Sequence, residues 1–402
     1  MRTLDDIEVG GKVVVVRVDF NVPLDDSATI TDDARIRAAV PTLDDLLERG
    51  AAKLVLLAHL GRPKGKPDPK LSLKPAADRL AELMGDDVHL LTNPEEEWGD
   101  GDRLLMLENV RFFGGETDDD PELAQRYASL GDVFVDDAFG AAHRAHASNH
   151  GIAKLLPSAA GLLLQREVET LTGILAEPGR PLVAIVGGSK VTDKLGVLKR
   201  FLELADTVLI GGAMCFPFFA AQGLGVGDSL CEEEGIEAAR SVLDDAKPDQ
   251  LLLPSDLVLG RDFSAETELK ELDGVEVPSG WMGLDVGPKT AKRYAEVIEG
   301  AGSAFWNGPM GAFELEPFAA GTRAVAEAMA AADGTTVVGG GDSASALAQF
   351  GLESEVTHLS TGGGASLELI EGKTLPGVEV LSRQRAVAPP SRSDDSDGEP
   401  SR

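Results

Sequence analysis

The sequence predicts an α/β protein with two doubly wound, Rossmann-like parallel-sheet domains, each a three-layer αβα arrangement, joined by a hinge helix. Short runs rich in β-branched residues and Leu recur along the chain, and segments with helical periodicity separate them. That alternation is typical of parallel sheets covered by helices on both faces. The runs fall into two groups, which indicates two similar halves.

Ten strands are predicted, four in the first half and six in the second. Each is a short apolar run of the kind that a buried strand requires. They lie near Val13–Val18, Leu54–Ala58, Leu104–Leu107, Val133–Val135, Leu182–Val186, Val208–Ile210, Leu251–Leu253, Ala304–Trp306, Thr336–Val338 and His358–Ser360.

One uninterrupted helix is predicted between the halves, at Leu162–Ile174, and the domain junction is placed there. The C-terminal stretch is rich in Pro, Ser and Asp without apolar periodicity, which predicts a mobile tail. The expected organisation is an N-terminal domain at 1–160, a hinge helix at 161–176, a C-terminal domain at 177–368, a segment returning towards the N-terminal domain at 369–384, and an acidic tail at 385–402.

Charge and composition exclude several classes of protein. The 402 residues include 68 Asp and Glu against 37 Lys and Arg, for a net charge of −31. A nucleic-acid binder that depends on phosphate contacts is not expected at this charge. A hydrophobic content of 43% supplies the apolar side chains that a disordered acidic chain lacks. The chain is therefore expected to fold.

The acidic surface has two interpretations. Self-repulsion of this size is screened within about 3 Å at 1 M salt, so one hypothesis is a salt-loving cytoplasm. The alternative is an ordinary acidic cytosolic protein. The cysteines, Cys215 and Cys231 alone, are too few for a disulfide framework or a four-thiolate metal site. With no signal-like start and no long apolar run, the prediction is a cytoplasmic protein with no membrane partner.

Polar and cationic side chains follow the predicted strands of the first half. Four of the six His lie in segments 59–62 and 143–150, and several Arg lie beside them. Converging Arg side chains suit a small, multiply anionic substrate. The ordinary alternatives are surface ion pairs for single Arg residues and turn formation for the acid and amide ahead of Pro23. The candidate residues are Asp19, Asn21, Arg35 in a loop, His59, Arg62, Arg111, His143, Arg144 and His146.

Glycine-rich turns follow strands of the second half. In GGSKVTDK, Lys190 and Lys194 are four apart, so they are expected on one side of the first turns of a helix. In VVGGGDS, Asp342 and Ser343 are expected at the cap of a helix. Its backbone amides could hold phosphate oxygens while Asp342 faces Mg²⁺. The alternative is a tight strand-to-helix turn.

Two other elements are less specific. Glu314 in WNGPMGAFE is either a ribose ligand or an ordinary helix-start acid, and the glycines at 362–364 are read as close-packed backbone or a hinge. The chain has neither a GxxxxGK[ST] loop nor a GxGxxG fingerprint. A Walker-type ATPase and a standard dinucleotide binder are therefore excluded.

Eight ordered segments together resemble the phosphoglycerate kinase family. They are RVDFNVPL, the Arg35 loop, HLGRP, ENVRF, DAFGAAHRAH, GGSKVTDK, WNGPMGAFE and GGGDS. The resemblance implies a two-domain monomer. Its N-terminal half would bind 3-phosphoglycerate or 1,3-bisphosphoglycerate, and its C-terminal half ADP or ATP with Mg²⁺. The two halves would close for phosphoryl transfer in glycolysis and gluconeogenesis.

The resemblance also assigns residues by matching motifs. The acid-binding positions would be Asp19, Asn21, Arg35, His59, Arg62, Arg111 and Arg144. The nucleotide positions would be Lys190, Lys194, Gly211, Gly212, Asn307, Glu314, Gly340, Gly341, Asp342 and Ser343, with Asp342 facing the metal. One departure is Ser343, where the family often has Thr; the hydroxyl is kept.

The implied reaction needs no general base, because both nucleophiles are already ionised near pH 7. Catalysis is expected from alignment and charge neutralisation, with Arg35, Lys190 and Lys194 as candidates. Two other functions make different demands on the sequence. A non-catalytic phosphometabolite-binding protein of the same fold would bind both ligands without turnover. A dehydrogenase on twin α/β domains would need the missing dinucleotide fingerprint.

Overall fold

The computed structural model describes residues 1–382. Within them the chain forms two compact units. The first contains Met1–Asp137, Arg144–Leu162 and residues 376–382, and the second contains Ala138–His143 and Leu163–Leu375. Each unit is built on its own six-stranded sheet in which every neighbouring pair is parallel.

The sheet of the first unit has the order β3-β4-β2-β1-β5-β6. The elements are β1 (Val13–Arg17), α1 (Ala34–Glu48), β2 (Lys53–Leu57), α2 (Lys74–Met84), β3 (Val88–Leu91), β4 (Leu104–Leu107), α3 (Pro121–Ala128), β5 (Val133–Asp136) and β6 (Ser158–Ala160).

The inner strands of this sheet are nearly continuous apolar runs because helices cover both of their faces. In β1, Val14, Val15 and Val16 are wholly buried. Helix α1 turns a matching stripe inwards, with Ile36, Ala39, Leu43 and Leu46 buried, at the spacing of one helical face. Since every strand is parallel, the loops after β1, β2, β4 and β5 leave the same edge of the sheet.

The sheet of the second unit has the order β15-β14-β13-β7-β8-β9. The elements of this part of the chain are α4 (Leu162–Ala176), β7 (Leu182–Val186), α5 (Leu195–Leu204), β8 (Thr207–Ile210), α6 (Cys215–Ala221), α7 (Glu233–Asp245), β9 (Leu251–Leu252), β10 (Leu257–Gly260), β11 (Leu269–Leu272), β12 (Met282–Val286), α8 (Pro288–Glu299), β13 (Ser303–Asn307), α9 (Ala320–Ala331), β14 (Thr335–Gly339), α10 (Gly341–Phe350), β15 (His358–Leu359) and α11 (Gly364–Ile370). A last helix, α12 (Pro376–Val380), belongs to the first unit.

A small antiparallel sheet, ordered β11-β10-β12, is added to the second unit. It was not among the predicted elements, because its strands have only four or five residues each and Gly283 and Asp285 interrupt the apolar pattern of β12. In β11 three of four residues are exposed. Strand β12 is a half-buried strand that carries Asp285 into the interior.

Helix α4 is fixed to the end of β15 by a buried carboxylate. Glu167 accepts hydrogen bonds from His358 Nε2 at 2.8 Å, from the Thr361 backbone N at 2.6 Å and from Thr361 Oγ1 at 2.9 Å. Next to this contact, a side chain at Gly362 would collide with Phe139. The glycine therefore has a packing role, which agrees with the close-packed reading of that segment.

The predicted fold class is confirmed, and all ten predicted strands are present with ends that differ by a few residues. Strands β3 and β6 were missed. Both lie at sheet edges, and β6 consists of Ser and Ala, which have little strand preference. The domain limits at 160, 176, 368 and 384 stay predictions. The predicted tail lies outside the described residues. No described helix combines the length and apolar composition that crossing a bilayer demands.

Candidate active site

The first group of candidate residues lies at the carboxyl edge of the β1–β5 sheet. Asp19 and Asn21 follow β1, His59 follows β2, and Arg111 follows β4. Arg35 is not in a loop, as the sequence suggested, but is the second residue of α1. At the start of α1, the Asp32 carboxylate accepts a hydrogen bond from the Ala34 backbone N at 2.9 Å.

Asp19 and Arg35 form an ion pair. Arg35 Nη1 donates to Asp19 Oδ2 at 2.6 Å, and the side chain of Arg35 is 35% exposed against 8% for Asp19. Burial by itself would raise the pKa of Asp19, but the charges of Arg35 and Arg17 outweigh it and lower that pKa. The carboxylate thus stays ionised and holds Arg35 in place, while the other guanidinium N–H groups remain available for an anion.

Backbone contacts hold the next two strand ends together. Asn21 Oδ1 accepts from the Gly61 N at 2.9 Å, and Arg111 Nη1 donates to the Gly61 O at 2.7 Å. The buried side chain of Asn109 donates to the Leu60 O at 2.7 Å and so fixes the same loop. The loops after β1, β2 and β4 are therefore cross-linked to one another.

Arg17, the last residue of β1, was not among the sequence candidates. It is 1% exposed, and its Nη2 lies 3.0 Å from His59 Nδ1. A single Arg at the end of the run VVVV is the only sequence signal that marks it. Burial, followed by the charge of Arg17, lowers the pKa of His59 well below its ordinary value.

These side chains form a cationic cluster. Burial lowers the pKa of Arg111, and the charges of Arg17 and Arg62 lower it further. Burial likewise lowers the pKa of His59, and the charges of Arg17, Arg111 and Arg35 add to that effect. The structure therefore brings together most of the predicted acid-binding residues. Arg144 and Arg62 are exposed, and the role of each stays a prediction. His143 lies in the range of the second unit.

In the second unit, three loops cross at backbone distance. The Gly188 N donates to the Pro309 O at 3.0 Å, and the Gly212 N donates to the Met310 O at 2.9 Å. Gly212 has φ +67°, and a Cβ there would lie 2.6 Å from the backbone of Gly188. Glycine is thus required at this crossing. Because glycine has no side chain, space remains beside the loops.

A cavity of about 750 Å³ opens beside that crossing. The predicted residues Gly212, Glu314 and Asp342 line it. Its apolar walls were not predicted, and one part of them comes from the antiparallel sheet. They include Leu257 of β10 and Met282 and Leu284 of β12. The volume and the mix of apolar walls with few polar groups are those of a site for a small organic ligand.

Lys194 lies beside the glycine-rich loops that cross next to the cavity. Its Nζ donates to the Gly187 O at 2.6 Å and to the Asn307 O at 3.1 Å. The negative charge of Asp342 favours the protonated ammonium. Burial lowers the pKa of Lys194 to about 8. The ammonium is thus charged at neutral pH, where it can meet phosphate oxygens.

The structure corrects two expectations about the lysines and the cap. Helix α5 begins at Leu195, so Lys190 and Lys194 do not share its first turns. Lys190 instead pairs with Glu232 at 3.0 Å on the surface. Neither Asp342 nor Ser343 is at the cap of α10, because both lie inside its first turn. Gly340 is at the cap, because its φ of +93° suits glycine alone, and the Ser343 hydroxyl accepts from the Gly308 N at 2.6 Å.

Other predicted nucleotide residues lie around the same loops. Asn307 Nδ2 donates to the Gly339 O at 2.7 Å, and a Cβ at Gly340 would meet that amide. At Gly211 a Cβ would meet Met310, whereas Gly341 faces open space. The binding roles of all these residues stay predictions.

The oxygen ligands near the cavity suit a magnesium ion that binds together with a nucleotide. Among the described residues, no three His, Cys, Asp or Glu side chains are grouped to hold a metal by themselves. Asp342 is exposed in the first turn of α10 and lines the cavity. One carboxylate together with substrate phosphates and water is a usual set of Mg²⁺ ligands. The residues present therefore fit this ion.

We expect Lys194→Met to weaken ADP binding about 10- to 100-fold at pH 7, because a hydrogen-bonded charge is lost. The affinity of the wild-type chain should fall as pH rises through about 8, since its ammonium then loses its proton. In Lys194→Met that pH dependence should be absent. Calorimetric titration with ADP between about pH 6.5 and 9 measures both effects.

Lys199→Met is the matched control, because this lysine lies on α5 and, within residues 1–382, forms an ion pair on the surface with Asp245 at 3.8 Å and with no other acid. It should bind ADP like the wild type. Equal ADP affinity in Lys194→Met and Lys199→Met would contradict the assignment of Lys194.

Comparisons with known proteins identify the family. The family model described as phosphoglycerate kinase matches residues 4–373. The chain is 50% identical to a phosphoglycerate kinase of Rubrobacter xylanophilus, over 96% of this chain and 99% of that protein. It is also 50% identical to a cytosolic phosphoglycerate kinase of Triticum aestivum, over 94% and 97%. A solved phosphoglycerate kinase structure from Coxiella burnetii matches with a TM-score of 0.86 and 40% identity, over 94% and 98% of the two chains. The chain belongs to the phosphoglycerate kinase family.

Proposed function

We propose that this chain catalyses reversible phosphoryl transfer between 1,3-bisphosphoglycerate and ADP, giving 3-phosphoglycerate and ATP, as a glycolytic and gluconeogenic phosphotransferase with a carboxyl acceptor. The observation that carries the proposal is the cationic cluster of Arg17, Arg35, Arg62 and Arg111. Its concentration of guanidinium groups in a chain of charge −31 suits a small substrate that carries several negative charges.

The acid substrate is assigned to the first unit. Asp19 holds the Arg35 guanidinium, and Asn21 and Arg111 both contact the loop at Gly61. In the proposed complex, Arg35, Arg62, Arg111 and Arg144 donate to phosphate and carboxylate oxygens, and His59 donates from its neutral ring. Neither His59 nor a carboxylate serves as a base, because the attacking oxygens carry no proton near pH 7.

The nucleotide is assigned to the cavity of the second unit. Its base and ribose would lie against the apolar walls, with Glu314 accepting from ribose hydroxyls. Lys194 and the α10 amides would bind the phosphates, together with Mg²⁺ held by Asp342. The ion supplies further positive charge to those phosphates. Lys190 is assigned a role in catalysis that requires release from Glu232, its ion-pair partner.

A coupled assay with 3-phosphoglycerate and MgATP in molar KCl tests the proposal. We expect turnover that requires both substrates and is lost in Asp342→Asn at low Mg²⁺. The competing proposal, a phosphometabolite-binding protein without activity, predicts binding of both ligands by calorimetry with no 1,3-bisphosphoglycerate formed. That outcome would overturn the kinase assignment.

We also propose a monomer that works in the cytoplasm and closes by hinge bending at α4. The cytosolic relative of Triticum aestivum supports the location, and the charge of −31 argues against a nucleic-acid partner. Light scattering after gel filtration should give a mass near 42.2 kDa. A dimer mass would overturn the monomer.

We expect the thermal midpoint of unfolding to rise as KCl increases from about 0.1 M to about 3 M, because the salt screens repulsion between the acidic side chains. Calorimetric scans at constant pH measure it. Sucrose of equal osmolarity is the control, since it does not screen charge. Highest stability in the most dilute buffer would reject the proposed adaptation to salt.

A further inference from the structure

Arg17 is a buried cation with a partner at each of its three guanidinium nitrogens. Nε donates to Ser148 Oγ at 2.8 Å, Nη1 to the Val18 O at 2.5 Å and the Leu57 O at 3.3 Å, and Nη2 lies 3.0 Å from His59 Nδ1. A guanidinium is tolerated in the interior only when it is paired and hydrogen-bonded in this way. Arg17 therefore has a fixed orientation.

The contact with His59 determines where the imidazole proton lies. Arg has five N–H donors and no acceptor, so Arg17 Nη2 can only donate. His59 Nδ1 must then present its lone pair, and the single proton of the neutral ring must be on Nε2. The other tautomer is disfavoured, because a proton on Nδ1 would face the N–H group of Arg17 Nη2 at 3.0 Å.

On the side away from His59, Arg17 is connected through Ser148 to the buried carboxyl group of Glu116. The Ser148 hydroxyl donates to Glu116 Oε1 at 2.6 Å, and the Ser148 N donates to Glu116 Oε2 at 3.2 Å. Since that hydroxyl has one proton, its lone pair is directed to Arg17 Nε. A directed chain thus runs from Glu116 through Ser148 and Arg17 to His59, and each member has its donor and acceptor roles fixed.

The charges around His59 keep its ring neutral. The groups that act on it are Arg17 on β1, Arg35 on α1, Arg111 after β4 and one acid, Asp19. Three guanidinium groups against one carboxylate disfavour an imidazolium, and burial acts in the same direction. His59 consequently has one donor, Nε2–H, at neutral pH.

We propose that Arg17 is a positioning residue that fixes His59 as its neutral Nε2–H tautomer, so that the ring presents an N–H donor to the oxyanions of the acid substrate. This inference rests on the proposed function for the identity of that substrate. The chemistry follows from repulsion, because a lone pair of the other tautomer would face an anionic oxygen. Arg17 acts through His59 and need not contact the substrate.

The tautomer can be read directly in the ligand-free protein. Nitrogen-15 NMR of the full wild-type chain, with His59 assigned by comparison with His59→Gln, should show protonated Nε2 and bare Nδ1 without titration between about pH 6 and 8. A proton on Nδ1, or an imidazolium in that range, would overturn the proposal. This measurement needs no variant of Arg17, so it decides even if such variants fail to fold.

The kinetic test uses Arg17→Met, which keeps an unbranched apolar side chain in place of the aliphatic part of Arg17 but has no hydrogen-bond donor. We expect His59 to populate both tautomers and to titrate, and KM for 3-phosphoglycerate to rise about tenfold and become pH-dependent, with kcat within about threefold. Arg17→Lys, a donor without an acceptor, should restore the tautomer in part. An unchanged tautomer and KM in Arg17→Met would overturn the role.

Arg103→Met is the control for the loss of a guanidinium, since Arg103 is exposed and its one ion-pair partner in the described part of the chain is Asp86. It should match the wild type in both measurements. Absence of turnover in the wild-type chain would overturn the proposed function alone, because the tautomer is measured without substrate.

Discussion

Replacing Arg35 with Ala is expected to lower kcat at least about 100-fold, about 3 kcal/mol in the transition state, while KM for 3-phosphoglycerate changes by less than about tenfold. Asp19 holds the guanidinium by one nitrogen at 2.6 Å, and the side chain is 35% exposed. Its remaining donors can neutralise the oxygens of the migrating phosphoryl group, whose charge is spread over its equatorial oxygens. Steady-state kinetics with both substrates varied measures the effect.

Two further variants make the test of Arg35 specific. Arg35→Lys keeps the charge without the planar fork and should be intermediate. Arg37→Ala removes a guanidinium from the same helix, where it pairs with Asp33 and is 56% exposed, and it should leave kcat within about twofold. A rise in KM with an unaltered kcat in Arg35→Ala would make Arg35 a binding residue only.

Asp285 is expected to make the protein less stable as pH rises from about 4 to 7. Burial raises its pKa to about 7 from 3.8, against the opposing effect of hydrogen bonds from the Gly321 N at 2.7 Å and the Val286 N at 2.9 Å. Because the folded pKa is raised, the stabilising contribution is complete below 3.8 and is lost as pH increases. A shift of this size corresponds to about 4 kcal/mol.

Asp285→Asn removes the titration, so its stability should depend less on pH. The wild-type advantage in free energy of unfolding should shrink by roughly 2 to 3 kcal/mol between about pH 5 and 8. The amide accepts only one of the two backbone bonds, which places the variant below the wild type at pH 5. Urea unfolding at several pH values measures this difference.

The exposed Asp244 of α7 supplies the control. Asp244→Asn should parallel the wild type at every pH. Parallel curves for wild type and Asp285→Asn would show that Asp285 ionises in the folded protein as it does in the unfolded chain.

The sequence predicted elements most accurately where the environment of a residue depends on its neighbours in the chain. The apolar runs of β1 and β7 predicted parallel strands, and the loops after them were predicted to carry the chemistry. Strand β6 was missed because it consists of Ser and Ala, which have little strand preference. The antiparallel sheet was missed because its strands are short and β11 is mostly exposed. Spacing misled at Lys190 and Lys194, since the helix begins later than assumed.

The sequence by itself determined the fold class, the family and the loops that bear the candidate residues, because these depend on periodicity and on residues close together in the chain. Tertiary structure alone decided that Arg17 meets His59 across 42 residues and Ser148 across 131. It also decided that Asp285 is buried beside Gly321. Burial and long-range contact set the charge, tautomer and orientation of a side chain, and neither is encoded in any single segment.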